Sequence, residues 1–393
     1  MTPAMSTAAS TTVTAVSTDT IADTDRDRAH RWRRRGAFVL FAAVIWLLPI
    51  LFGGSVDTRT WAEFMCYAIL AVGIDIAWGY GGMLTLGHGV FFGLGAYAMG
   101  MHVTLENVPK GATLPSFMSL YGDRTSLPLL WRPFSSLWFT IVAAVVVPAL
   151  VGALLGLLVF RRRVRGPFFA LLTQATALVF SLILIGNLPL TAGSNGLTGF
   201  TTVFGRSKYD GATNRWLFNL AAVVLVVILA LAFVFVGSRF GRLLVATRDS
   251  EDRVRFLGYN PASVKAIAFA LSAAVAGVAG ALAAPIVGIV SPNQFAVLPS
   301  ILFVCWVAVG GRGTLWGAVV GALAVNWART SVSAARPDDW SYVQGALFVV
   351  VIVAVPGGIA GLVGSARSPV AVVPRRRGAT TQPATELHAE AAS

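Results

Sequence analysis

Groups able to do chemistry are sparse in this chain. Hydrolysis of a nucleoside triphosphate needs a phosphate-cradling GxxxxGK[ST] loop, and the only lysines, Lys110, Lys208 and Lys265, stand in no such context. No nucleophile lies beside a base, and no carboxylates are paired for acid–base work. The sequence therefore marks no catalytic residue. Cys66 and Cys305 both sit in apolar stretches, which indicates neither a disulfide nor a zinc framework. His88 has no Cys, Asp, Glu or second His at ligand spacing, so no metal site is indicated. It reads either as a hydrogen-bonded structural histidine or as part of a solute pathway.

The charge that exists is concentrated in one interruption, Gly237 to Lys265. Asp249, Glu251 and Asp252 come first and Arg253 and Arg255 follow, the order that suits a helix dipole. Asp249 or Ser250 can cap the start, Gly258 can close the end, and Pro261 blocks continuation. Arg248/Asp252 and Glu251/Arg255 are spaced i,i+4, so each pair can meet on one helix surface. Val254 and Leu257 share a face that could press into a partner. The pattern predicts a short helix of about two turns lying at a membrane edge, or simply a solvated loop helix.

The elements around it are membrane elements. The 393 residues are 56% hydrophobic and 12% charged, with mean hydropathy +0.74, against about 25% charged in soluble domains. The reading is an all-α polytopic membrane protein of the cell membrane with about ten crossings. The net charge of +13 comes from arginines beside apolar segments, which sets topology rather than nucleic-acid binding. RDRAHRWRRR before the apolar run Ala37–Gly53 resembles a signal peptide without a convincing cleavage site, so a retained first helix is expected. Further spans are expected near Glu63–Trp78, His88–Val103, Trp138–Phe160, Pro167–Leu188, Trp216–Val236, Val264–Val290, Phe295–Val309, Thr314–Ala328 and Tyr342–Val363. The short pair around Arg312 could instead be half-helices. This arrangement places both termini and every dense arginine cluster in the cytoplasm. Residues 1–35 and 365–393 read as disordered cytoplasmic tails, residues 36–364 as one membrane domain, and 237–263 as its cytoplasmic loop.

Packing and pathway signals lie inside the spans. Gly79 to Gly100 contains eight glycines. Gly89, Gly93, Ala96 and Gly100 recur at helical spacing for close packing, whereas Gly79, Gly81 and Gly82 predict a tight turn or unwound stretch. The segment after Ala266 carries two small-residue stripes, Ala273–Gly277–Ala281 and Ala276–Gly280–Ala284–Gly288, so neighbours are expected on more than one side. Asp75 and Glu63 are the main acids in or beside a span. Neutral polar groups are commoner: Thr173, Gln174, Thr176, Ser181, Asn187, Ser272 and Asn326. They suit a small uncharged solute, or merely bond helix to helix. His88, Thr173, Gln174 and Asn195 are the candidate pathway residues.

GYGGMLTLGHGVFFGLGAYAMGM resembles the Y-x-G-x-x-S-L-G-H signature of permease subunits of branched-chain amino-acid-type ABC importers. GRLLVATRDSEDRVRFLGYNPASVKAIAFALSAAVAGVAGAL is similar to their cytoplasmic coupling loop and the helix after it. AGSNGLTGF and VAVGGRGTLWGAVVGAL match further family segments, so the likeness covers roughly Ala37 to Gly364. Within the family, LGHGVFFGLGAYAMGM, DSEDRVRFLGYNP and WVAVGGRGTLWGAVVGA look most like the urea-transporter permease of the larger, second-subunit type. The resemblance implies a sister permease forming a heterodimer, two ATP-binding subunits carrying ATP and Mg, and an extracytoplasmic substrate-binding protein. This chain itself would bind no cofactor. The resemblance also gives the charged loop a role: Arg248, Asp249, Glu251, Arg253, Val254, Arg255, Leu257 and Gly258 would couple to an ATPase.

Amino-acid permeases of the family usually have a glutamate in the segment matching Leu171–Leu184, which is uncharged here, and relatives, urea-type ones included, often have Ser-Ile-Glu where this chain has Ser300-Ile301-Leu302. Thr85 replaces a usual serine. Missing acids fit a neutral solute, so the expectation is inward transport of urea or a short amide. The alternatives are import of branched-chain amino acids or a stand-alone secondary transporter or channel.

Overall fold

A computed structural model of the chain describes residues 57–335 except 110, 123–125 and 165, residues 357–363, and positions 41, 43, 44, 46, 47, 345 and 346. The helices are α1 (Thr58–Asp75), α2 (His88–Glu106), α3 (Ser116–Gly122), α4 (Leu137–Arg161), α5 (Pro167–Gly186), α6 (Leu188–Thr191) and α7 (Gly211–Gly237). They continue as α8 (Arg239–Asp249), α9 (Glu251–Phe256), α10 (Pro261–Val287), α11 (Val297–Gly310), α12 (Leu315–Ala335) and α13 (Gly358–Val363). A two-stranded hairpin, β1 (Thr202–Val203) against β2 (Arg206–Ser207), precedes α7.

Among the described residues, five helices are long and apolar enough to cross a membrane: Thr58–Tyr80, Leu137–Arg161, Pro167–Gly186, Gly211–Gly237 and Pro261–Val287. The count is six if the bent pair α11–α12 is one span. This overturns the expectation of about ten crossings. The reasons are physical. Helix α2 carries His88, His102, Glu106 and its glycines, and is buried by protein along nearly its whole length. It has no need of a lipid-facing apolar surface. Helix α11 has 14 residues, about 21 Å, short of a hydrocarbon core of about 30 Å. It meets α12 at a 118° bend, with Gly311 and Gly313 at φ +107° and +76° between them. The half-helix alternative at Arg312 thus describes the pair better than two separate spans. The expected span Ala37–Gly53, most of Tyr342–Val363 and both tails lie outside the described residues.

Helices α1 and α10 form the centre, the latter packing against α4, α2 and α1. The two small-residue stripes of α10 serve different neighbours, as their sequence predicts. A methyl group on Gly277 would strike the Ala144 carbonyl of α4, and one on Gly280 the Phe92 carbonyl of α2. Gly152 and Gly156 let α4 approach Ala273 and Ala266 in the same way. In α4, Leu150, Leu154 and Leu158 repeat every four residues and are all more than half exposed. The rest of the chain leaves that apolar stripe uncovered, as a membrane-spanning helix requires of a side that meets lipid or a neighbouring subunit.

Candidate translocation site

Helix α1 presents Thr60, Glu63, Phe64 and Tyr67 to a cavity of about 490 Å³. The spacing Glu63–Tyr67 is one helical turn, so the Tyr67 hydroxyl donates to the Glu63 carboxylate at 2.6 Å. Helix α2 adds Phe92 and Ala96, and the C-terminal end of α10 adds Ala283, Ala284 and Val287. Asn293 and Gln294 come from the following turn, Leu302, Phe303 and Trp306 from α11, and Asn326, Arg329 and Thr330 from α12. The apolar wall is a ring cluster: Tyr67–Trp306 at 4.9 Å, Phe303–Trp306 at 5.0 Å and Phe92–Phe303 at 5.9 Å between centroids. The chamber therefore combines an aromatic wall, one carboxylate and one guanidinium, within the about 300–1,000 Å³ usual for ligand pockets.

At the other end of α1 the helix widens into a π-helical turn, Ile76–Tyr80, and Gly82 at φ +68° turns the chain away. This is the break predicted from Gly79, Gly81 and Gly82. The Asp75 carboxylate accepts the Gly313 N–H at 2.6 Å, tying α1 to the α11–α12 turn.

The predicted cytoplasmic segment folds as two helices rather than one. The Ser238 hydroxyl caps α8, accepting from Gly241 N–H at 3.1 Å, and α9 follows with Gly258 closing it at φ +86°. Asn260 then caps α10. Glu251 pairs with Arg255 at 3.3 Å, the predicted i,i+4 contact, and with Lys265 at 2.9 Å; Asp252 meets Arg255 at 3.5 Å. Arg248 turns instead to Asp249 at 2.9 Å and to the Gly79 carbonyl at 2.6 Å. Val254 is buried within the chain, while Phe256 is 92% and Leu257 71% exposed.

The candidate pathway residues are dispersed. His88 is buried between Thr85 and Ser272 and edge-on to Phe91 and Phe269. Thr173 accepts the Leu86 N–H at 3.1 Å and donates to Ala170. Gln174 is half-buried on α5, and Asn195 is exposed in a short 3₁₀ turn. None of the four lines the chamber. Glu63 is legible in the sequence only as an acid at the edge of a span, and Tyr67, Arg329 and the aromatic wall are not marked there at all. The one-turn spacing Glu63–Tyr67 was the available signal. Among the described residues no group of three or more His, Cys, Asp or Glu could hold a metal ion.

Residues 58–366 match the family model described as branched-chain amino acid transport system / permease component. The high-affinity branched-chain amino acid transport system permease proteins LivM of Salmonella typhimurium and Escherichia coli are 32% and 30% identical over 311 residues. These alignments cover 72% of this chain and 65% of each relative, so the chain spans just under two thirds of the LivM length. LivH of Salmonella typhimurium is 26% identical over 306 residues, 75% of this chain and 91% of the relative. No solved structure matches.

Proposed function

The chain belongs to the family of branched-chain amino-acid ABC-importer permease components, and from that premise we propose that it carries aliphatic amino acids inward. It works beside a sister permease, with two separate ATP-binding subunits and an extracytoplasmic binding protein. The relatives' names support the substrate class, and the observation that carries it here is the chamber. Glu63 offers a carboxylate for an ammonium group, Arg329 a guanidinium for a carboxylate, and the Phe92–Phe303–Trp306 wall a surface for an aliphatic side chain. Charge-assisted bonds at both ends of a zwitterion orient it and are stronger than neutral ones.

Urea is suggested by three segments that look most like the urea-transporter permease and by the missing acids. Leu302, where relatives often carry glutamate, does line this chamber, but so does Glu63 from α1. The chamber therefore keeps a carboxylate, supplied by a different helix. The uncharged Leu171–Leu184 segment contributes nothing to its lining. Both points favour an amino acid over urea.

Uptake of labelled leucine and labelled urea, in cells with and without this chain, tests the proposal. Loss of leucine uptake alone supports it, and loss of urea uptake alone overturns it. Uptake that persists after removal of the ATP-binding subunits would identify a stand-alone carrier or channel instead.

A further inference from the structure

We infer that Arg248, Gly79, Asp75 and Gly313 form a latch that closes the path on the α9 side of the chamber and opens when α9 is displaced. This inference rests on the proposed import function.

The latch is continuous in space. Arg248 is the penultimate residue of α8, three positions before α9 begins, and its guanidinium donates to the Gly79 carbonyl at 2.6 Å. Its aliphatic stem lies over Gly82, where a Cβ would meet it. Gly79 sits in the π-helical turn that ends α1, and a methyl group there would strike both the Asp75 carboxylate and the Gly313 backbone. Asp75 then holds Gly313 N–H at 2.6 Å, fixing the turn at which α11 and α12 bend by 118°. The chamber is lined by these same helices, α1, α11 and α12. Tyr67 and Asp75 are eight residues apart on α1, so the latch lies about 12 Å along that helix from the chamber's aromatic wall. A shift at α9 thus has a bonded route to three chamber helices.

The latch is also poised to open. Asp75 is wholly buried, and its second carboxylate oxygen, Oδ2, has no hydrogen-bond partner. A buried acceptor left unmade is costly, so an arrangement that admits water or another donor to Oδ2 offsets part of the loss of the Gly313 bond. The π-helical turn supplies the give, since such turns are irregularities within an otherwise rigid helix. Small displacements become discrete changes when packed elements have two arrangements.

The test uses the full chain in vesicles, with Asn326→Cys placed in the chamber and Cys66→Ser and Cys305→Ser removing the native thiols. A membrane-impermeant maleimide is applied from the α9 side. Arg248→Gln is expected to raise the labelling rate at least fivefold. Asp75→Ala should do the same, whereas Asp75→Asn, which keeps an acceptor oxygen for Gly313, should stay within twofold of the parent. Labelling unchanged in both Arg248→Gln and Asp75→Ala overturns the latch. A second readout uses the complete importer in proteoliposomes. There Arg248→Gln should lose at least tenfold in leucine uptake while ATP hydrolysis stays within twofold, and Arg248→Lys should recover part of the uptake. Uptake and hydrolysis falling in proportion would mean a merely structural arginine and overturn the coupling. If the parent importer moves no leucine, the import reading fails, and the labelling result still decides whether the latch exists.

Discussion

His88 Nε2 stands 2.6 Å from Ser272 Oγ, and Ser272 in turn donates its hydroxyl to the Gly73 carbonyl at 2.6 Å. Because the serine proton is committed to Gly73, the imidazole must carry its own proton on Nε2, and Nδ1 faces the Thr85 hydroxyl at 3.2 Å. The chain of bonds joins α2, α10 and α1 at a buried crossing. His88→Ala is expected to destabilise the protein by about 1–3 kcal/mol, measured by thermal unfolding in detergent, with the KM for uptake unchanged. A KM shifted severalfold at unchanged stability would place His88 on the solute pathway.

Glycines at helix crossings should divide into two classes. A methyl group on Gly95 would overlap the Gly277 carbonyl, and one on Gly280 the Phe92 carbonyl. Backbone cannot swing aside as a side chain can. Gly95→Ala and Gly280→Ala should each cost roughly 1–3 kcal/mol or more and lower the yield of folded protein. Gly186, at the end of α5, has nothing within 4 Å of an added Cβ. Gly186→Ala should therefore stay within about 0.5 kcal/mol of the parent. Equal losses at all three positions would refute the distinction.

The α10 side of those crossings is legible in the sequence because small residues recur there at four-residue spacing, whereas Gly95 lies off the Gly89–Gly93–Ala96–Gly100 row of α2. The break at Gly79–Gly82 was readable for a similarly local reason. The number of crossings was not. Apolar length counts surface that meets lipid, and α2 meets almost none, while α11 and α12 divide one path at Gly311–Gly313. Nor was the chamber legible. Glu63, Leu302 and Arg329 lie on different helices, and only tertiary packing brings them to one cavity. Arg248 shows the limit at residue scale: its i,i+4 partner would be Asp252, yet the nearby Gly79 carbonyl takes its guanidinium. Val254 likewise left the face it shares with Leu257 on a helical wheel, because one side of α9 rests on its own chain.

The exposed end of α9 carries its own prediction. Phe256 and Leu257 are 92% and 71% exposed, beside Arg255, which already pairs with Glu251 and Asp252. Under the proposed assembly, these two apolar side chains seat on an ATP-binding subunit. Phe256→Ser with Leu257→Asp should reduce co-purification of that subunit at least tenfold without changing the thermal stability of the isolated chain. Val254→Ala should do the reverse, lowering stability by roughly 1–2 kcal/mol while leaving co-purification intact.

Lys208, in the loop before α7, supplies a test by pH. Its Nζ lies 3.5 Å from the Val287 carbonyl, which Arg59 also contacts. Burial, reinforced by the neighbouring Arg59 guanidinium, pushes the Lys208 ammonium down to about 8. Folding thus disfavours the charged form, whereas the unfolded chain titrates near 10.4. The penalty is complete below about pH 8 and is relieved as pH rises toward 10.4, so this residue makes the fold more stable on the alkaline side. Competitive acetylation at graded pH, read by mass spectrometry at this site, should show half-maximal amine reactivity near pH 8. In Arg59→Gln the midpoint should move upward, because one of its two causes is gone. Lys208→Met should flatten the rise in stability between pH 8 and 10. A Lys208 amine that titrates with an ordinary lysine midpoint, with or without Arg59, would refute the assignment.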